Sequence, residues 1–300
     1  NAIREASGFA LLERLDRLAR TPLQRVQALN RRAWYATNLG DWAAAEAAGR
    51  DGLAAMAALP APTDAAGQAT VAELRSVLQQ RLGTTLSMSG RFDEALPLLR
   101  AAEPWVDANA GSDSAAEFHG NLAAVLDNLG RVDEARERHA RVIAATQALG
   151  DHSFHATALA NFAVNRLNAG DARGALEPLQ RAQQVVTTFE LRGSSAGFIA
   201  VLLGQALRAL GDYAGALHWC SQAEAVLTEA NPAWVPWVAV HEAQVWLDLG
   251  QTARAQQRLQ QAAAAPMAAR MAARRLMLWG RLHRLLGQGG AALAAFDEAL

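Results

Sequence analysis

The stretch Leu203-Gly204-Gln205-Ala206-Leu207-Arg208-Ala209-Leu210-Gly211-Asp212-Tyr213-Ala214-Gly215-Ala216 decides the fold. Gly211 closes a leucine-bearing run, and Ala216 stands five residues beyond it. The same pairing recurs six more times, as Gly40/Ala45, Gly90/Ala95, Gly130/Ala135, Gly170/Ala175, Gly250/Ala255 and Gly287/Ala292. A mark that returns about every forty residues predicts one helix–turn–helix unit repeated along the chain. The glycine ends the first helix of each unit, helix A, with a left-handed cap, and helix B begins just after it. The interval from Gly40 to Gly90 is longer, and its surplus predicts a loop over 60–67 plus a lengthened helix.

The positions around each glycine repeat too. Seven residues before it stands Ala33, Gly83, Ala123, Ala163, Gly204, Ala243 or Gly280. Twelve after it stands Gly52, Ala102, Val142, Ala182, Ala223, Ala262 or Ala299. Small side chains at fixed points of both helices let the axes approach closely, and a large residue there would overpack the contact. Leu82, Leu122, Phe162, Leu203 and Trp279, eight before the glycine, are candidate core residues. Asp41, Asp171 and Asp212 follow their glycines and are placed to cap helix B. Asp93-Glu94 and Asp133-Glu134 fall in the first turn of helix B, where carboxylates favour the helix dipole. Their recurrence at one repeat position argues for a structural role rather than a catalytic pair. Breaks between units are expected at Pro60-Ala61-Pro62, Asn109-Ala110-Gly111, Gly150-Asp151, Arg192-Gly193, Asn231-Pro232 and Pro266. Pro97 and Pro178 fall inside helix B, where each removes a backbone donor.

The pattern resembles the tetratricopeptide repeat family over essentially the whole chain. The residues that carry the resemblance are Leu203-Gly204, Leu210 through Ala216, Ala223, and Leu129-Gly130-Arg131-Val132-Asp133-Glu134-Ala135. Arg32 and Glu242 depart from it, because they occupy a helix-A position that is usually apolar. The period also exceeds the family's usual length of about thirty-four. Longer repeats of this kind are similar to those of MalT-like bacterial regulators, nucleotide-cyclase sensor regions and peptide-receptor regulators. The resemblance implies an all-α fold, a right-handed α-solenoid of antiparallel helix pairs. Residues 1–20 would be helix B of a preceding repeat. Repeats would follow at 21–60, 61–110, 111–150, 151–191, 192–231, 232–265 and, truncated, 266–300. The array is expected to continue, or to join other domains, on both sides.

Composition narrows the function classes. A net charge of −1 over 300 residues gives no global pull toward nucleic acid or an anionic membrane. All 28 basic residues are arginine, which suggests a GC-rich bacterial genome. Cys220 is the one cysteine, so no intrachain disulfide forms, and at a helical apolar position it reads as a small buried hydrophobe. No apolar run reaches the ~18 residues of a membrane span, and a cytoplasmic setting is expected.

In repeats of this family helix-A residues line a concave groove. Carried over by register, these are Gln27, Asn30, Arg31, Trp34, Asn38, Gln80, Arg81, Thr84, Glu117, Asn121, Asp127 and Asn128, then Asn161, Asn168, Gln205, Arg208, Trp237, His241, Gln244, Arg281 and Arg284. Asn121 and Asn161 stand nine before their glycines, and Asn38, Asn128 and Asn168 stand two before theirs. An asparagine amide both donates and accepts, so aligned asparagines would form a ladder for an extended peptide backbone. The second set has an equal explanation, because asparagine also favours a helix end before glycine. Residues 251–296 hold seven arginines and no acid. Arg274, Arg281 and Arg284 would face the groove, as a site for an acidic peptide, carboxylate or phosphate, or a solvated face. His152 and His155 lack a third partner for a metal, and Gly287-Gln288-Gly289-Gly290 has no preceding strand to make it a dinucleotide loop.

The functional expectation is a non-catalytic sensor or regulatory module of a bacterial signalling protein, of transcription-regulator or nucleotide-cyclase type. It would hold a protein or peptide segment in the groove and act on a covalently attached effector domain. No cofactor, metal, membrane or nucleic-acid partner is expected through this region. The alternative is a passive scaffold in a multiprotein assembly.

Overall fold

The computed structural model describes residues 8, 11–12, 14–15, 17–109, 111–263 and 269–300, with the backbone alone at 112, 269 and 270. The expected break at Pro266, Ala110 of another break, and residues 1–7, 9–10, 13 and 16 of the expected leading helix lie outside the described residues. Every described element is helical. The helices are α1 (Pro22–Leu39), α2 (Trp42–Ala57), α3 (Ala65–Met88), α4 (Phe92–Asn109), α5 (Ser112–Asn128), α6 (Val132–Leu149) and α7 (His152–Asn168). There follow α8 (Ala172–Thr188), α9 (Ser194–Ala209), α10 (Tyr213–Ala230), α11 (Val235–Asp248), α12 (Thr252–Ala263), α13 (Ala269–Leu285) and α14 (Gly289–Ala299). A single 3₁₀ turn, Pro232–Trp234, leads into α11.

Contacts divide the chain into two compact units, residues 1–145 and 146–300, with the border inside α6. In unit 1, α1 pairs with α2 and α3 with α4, while α2 packs on α3 and α4 on α5. In unit 2, the pairs α7–α8, α9–α10, α11–α12 and α13–α14 pack each on the next, and the A helices α7, α9, α11 and α13 touch in sequence. Each unit is a stack of helix pairs, the construction of an α-solenoid.

The seven marker glycines share one conformation, with φ from 69° at Gly250 to 83° at Gly211. A Cβ at any of them would meet nothing within 4 Å, so it is the left-handed turn and not crowding that requires glycine. The glycines seven residues earlier have the opposite cause. A Cβ on Gly83 would lie 2.8 Å from Leu99 Cγ, and one on Gly280 would lie 2.4 Å from Phe296 Cε1. There the two helices of a pair touch. The alanines five after each marker close the same contact and are 0–5 % exposed.

The caps also follow the sequence. Asp41, Asp171 and Asp212 accept hydrogen bonds from the amides of Ala44, Gly174 and Gly215 at 3.0, 2.8 and 2.8 Å. Helix A is capped too, by Asp64 in α3 and Asp151 in α7. At α1, Thr21 and Gln24 satisfy each other's backbone amides in a capping box. Pro97 and Pro178 lie inside α4 and α8, and α4 holds Pro104 as well.

Leucines fill the space the small residues leave. In unit 1, Leu82, Leu86, Leu99, Leu122 and Leu126 form one buried cluster with Phe118. In unit 2, Leu247, Leu259, Leu278 and Leu282 form another. Each such side chain contributes roughly 1.5–3 kcal/mol when fully buried. Of the expected core positions, Phe162 and Trp279 are only half-buried. The two departures from the apolar pattern sit differently. Glu242 is neutralised by Arg258 at 2.7 Å and accepts a bond from Trp246 Nε1 at 2.9 Å. Arg32 is half-buried and has an interaction partner.

Candidate functional site

Unit 1 holds a cavity of about 580 Å3. Helix periodicity builds its walls. α1 presents Trp34 and Asn38, one turn apart; α3 presents Gln80, Arg81 and Thr84; α5 presents Glu117 and Asn121. Arg81 and Asn121 both stand nine residues before their marker glycine, so successive A helices bring them to equivalent places. The C-terminal end of α4 adds Trp105 and Asn109, and Phe118 completes the apolar part of the wall.

Arg81 is the unusual group. Its side chain is half-buried, its Nε is enclosed with no acceptor, and no carboxylate lies within ion-pair distance of it among the described residues. Burial pushes its pKa down, and the charge of Glu117 works against that shift. The guanidinium stays cationic regardless. Other arginines of unit 1 are paired: Arg50 and Arg91 with Glu46 and Glu94, Arg100 with Glu103 and Glu134. A half-buried cation with no ion pair, offset only by the field of Glu117 lining the same cavity, beside exposed and buried aromatic rings, is suited to an anionic group on an otherwise apolar ligand.

Gln27, Asn30, Arg31, Asp127 and Asn128 fall outside this cavity. Asp127 is spoken for: its carboxylate meets His139 Nε2 at 2.8 Å, and both side chains are under 8 % exposed. It therefore serves the packing of α5 on α6 and not a groove. Arg31 and Gln27 are exposed on α1, and Asn30 is half-buried with its Oδ1 enclosed and unpaired. Asn38 and Asn128 each donate their amide N–H to the carbonyl four residues back, Trp34 and Ala124, at 2.7 and 2.8 Å. That is the helix-end use of asparagine, although Asn38 also borders the cavity.

In unit 2 a second set of candidates converges on α9, α11 and α13. Gln205 Nε2 lies 3.3 Å from His241 Nε2. Gln244 accepts from Arg274 at 2.6 Å. Asp248 accepts from Arg208 at 2.6 Å and from Arg281 at 2.7 Å. Trp237 stacks on Phe198 at 5.8 Å and meets His241 edge-on at 5.2 Å. His241 is buried, its Nδ1 has no partner, and its pKa lies well below the ordinary value. Burial is the main cause, followed by the charges of Arg274 and then Arg208. Arg284 is exposed at the end of α13, and Asn161 and Asn168 are exposed on α7.

The remaining reactive types have structural surroundings. The Cys220 thiol is buried and its pKa is pushed up to about 12, chiefly by burial, so it is not nucleophilic at neutral pH. His155 packs inward 3.1 Å from Thr146 Oγ1, while His152 stacks on Phe189 at 3.4 Å. Among the described residues no three His, Cys, Asp or Glu side chains gather as they would around a metal ion. No described helix is long and apolar enough to cross a membrane.

Register in the sequence did not point to Trp105, Phe118, Phe198, Trp234 or Asp248. Trp105 lies on helix B and Phe118 a turn ahead of the groove positions. Asp248 occupies the same place as Asn38, Asn128 and Asn168, two before the glycine, and that equivalence was the available signal.

Comparison with known proteins establishes the fold. A tetratricopeptide repeat protein from Parabacteroides merdae is 16 % identical over 91 % of each chain, with a TM-score of 0.64. The apo form of RapI is 13 % identical over 91 % of this chain and 97 % of its own, with a TM-score of 0.63. A Rap protein complexed with Competence and Sporulation Factor is 13 % identical over 92 % of this chain and 85 % of its own, with a TM-score of 0.61. Neither a protein-family model nor a curated protein sequence matches the chain. The chain thus has the tetratricopeptide-repeat fold.

Proposed function

We propose that this tetratricopeptide-repeat chain is a non-catalytic protein-binding module that seats a peptide segment of a partner in the cavity of unit 1. The observation that carries the proposal is Arg81, a half-buried cation with no ion pair, set in a cavity of about 580 Å3 between Trp34 and Trp105. A carboxylate of the peptide would pair with Arg81, and the rings would cover its apolar neighbours. Gln80 and Asn121 carry amides that both donate and accept, which suits a peptide backbone. The complex of one structural neighbour with Competence and Sporulation Factor supports a binding role for this architecture.

The finer reading is a bacterial cytoplasmic regulator whose attached effector answers to the bound segment. Its support is the long repeat period and the all-arginine composition. Such an array suits a transmitter because each repeat contacts only its neighbours, so small rotations add up along a stack.

The test begins with peptide display on the intact chain. Recovered peptides are titrated by fluorescence anisotropy against wild type and Arg81→Met. Recovered sequences should carry an acidic residue, and Arg81→Met should weaken them about tenfold or more. Binders indifferent to Arg81→Met would contradict the proposal.

A further inference from the structure

One side of the unit 1 cavity is built from the start of α5. Gly111, at the N-cap, and Ser114, Glu117 and Phe118, in the first two turns, line it. The N-cap offers no side chain to the free amides, unlike Thr21, Asp64 and Asp151 at α1, α3 and α7. Just beyond these turns stands Gly120, inside the helix. A Cβ there would meet nothing within 4 Å, so packing does not call for glycine. Its effect is to loosen the helix interior.

A polar contact ties this segment to α4. His119 Nε2 lies 2.9 Å from Asp107 Oδ1. An ionised carboxylate only accepts, so Nε2 carries the proton and Nδ1 does not. Nδ1 is enclosed and has no hydrogen-bond partner. Asp107 stands between the cavity residues Trp105 and Asn109, and His119 between Phe118 and Asn121. The bond therefore joins two sides of the cavity, and the Phe118 ring meets the imidazole edge-on at 5.3 Å. The His119 side chain is 8 % exposed and that of Asp107 is 42 %, so water can replace the ring on the carboxylate.

We propose that the first two turns of α5 are a proton-released flap of the unit 1 cavity, latched by His119 on Asp107 and hinged at Gly120, so that acidification opens the seat and releases its peptide. The proposal rests on the peptide reading of that cavity and adds its regulation. A protonated His119 carries a second N–H, at Nδ1, with no acceptor. The charged groups around it come from several helices. α4 brings Asp107, α6 brings Arg138 and Arg141, and Glu117 stands two residues earlier on α5, where it acts on Arg81 of α3. Arg138 is paired with Glu103, and Arg141 lies 3.8 Å from Asp107 Oδ2. Burial pushes the His119 pKa below its ordinary value, the bond and charge of Asp107 oppose that shift, and Arg138 and Arg141 add to it. The latched state therefore favours the neutral ring, while a ring turned out to water takes the proton at the ordinary value of about 6.5. Ala116 and Phe118 are buried and keep an apolar hold, so the segment pivots rather than unfolds.

The first measurement needs no ligand, so its failure stands apart from failure of the peptide seat. Ala101→Cys on α4 and Asp113→Cys on α5 replace exposed side chains and take spin labels. The buried Cys220 thiol, its pKa pushed up to about 12, stays unlabelled. Double electron–electron resonance on the intact chain should give one distance at about pH 7.5 and add a second, longer one at about pH 5, with helical circular dichroism retained. His119→Gln keeps a donor for Asp107 but does not titrate, and should show the first distance alone at both pH values. Gly120→Ala stiffens the hinge without a clash and should shrink the second population about threefold. Peptides recovered by display at about pH 7.5 should bind wild type about three- to tenfold more weakly at about pH 5, and His119→Gln less than about twofold more weakly. One unchanged distance in wild type, or the same second distance in His119→Gln, overturns the latch whether or not a peptide binds. A second distance with wild-type peptide affinity unchanged overturns the gating of the seat. Should His119→Gln melt early, a second population undiminished in Gly120→Ala overturns the proposal.

Discussion

Two kinds of glycine look alike in the sequence and act by different physics. Gly90 is needed for its φ of 76°, with open space around it, whereas Gly83 is needed because Leu99 lies 2.8 Å from where a Cβ would stand. Gly90→Ala should cost roughly 1–2 kcal/mol of backbone strain. Gly83→Ala should cost roughly 1–3 kcal/mol of overpacking. The two causes separate in urea unfolding of double variants. Leu99→Ala should rescue Gly83→Ala in part and leave Gly90→Ala unrelieved. His241 makes a second residue-scale prediction. Its pKa is depressed in the folded chain by burial and by Arg274 and Arg208, so below the unfolded value of about 6.5 the unfolded chain takes up the proton more readily. Stability should therefore fall as pH drops through about 6.5, and His241→Gln should flatten that limb of a Tm-against-pH curve. An unchanged slope in the variant would count against a neutral, buried His241.

At the scale of elements, the helix pairs are joined to one another by ion pairs as well as leucines. Arg50 on α2 reaches Glu94 on α4 at 2.9 Å, and Arg100 on α4 reaches Glu134 on α6 at 2.5 Å. Both join the residue ten after one marker glycine to the residue four after the next. These pairs are exposed and screened, and contribute register more than stability. The network of Arg258 with Glu224 and Glu242 is more enclosed, with side chains 14, 35 and 18 % exposed. Glu242→Gln leaves Arg258 less than fully compensated and should cost roughly 1–2 kcal/mol in urea unfolding. A cost near zero would mean that Glu224 alone suffices. The turns, caps and small contacts of these elements were legible because each is set by residues within a few positions of the marker glycine. Trp34, Arg81 and Asn121 were legible as candidates for the same reason. What could not be read was pairing across the turn. Asp127 lies on helix A and His139 on helix B, and nothing in the helical period of either says that they meet. Trp105 was missed likewise, since it lies on helix B, and the period of α4 does not say that it meets the groove positions of α1, α3 and α5.

At the scale of the whole molecule, the two units present different side chains on one kind of scaffold. Unit 1 holds a cavity with a cation that has no ion pair, while in unit 2 Arg208 and Arg281 share Asp248. The central claim is that the cavity of unit 1 is a peptide seat built around Arg81. Its most direct test is a crystal structure of the intact chain with a display-selected peptide. The peptide should lie between Trp34 and Trp105, with a carboxylate oxygen about 2.7–2.9 Å from the Arg81 guanidinium. A peptide bound elsewhere, with the cavity empty and Arg81 still without an anionic partner, would contradict it.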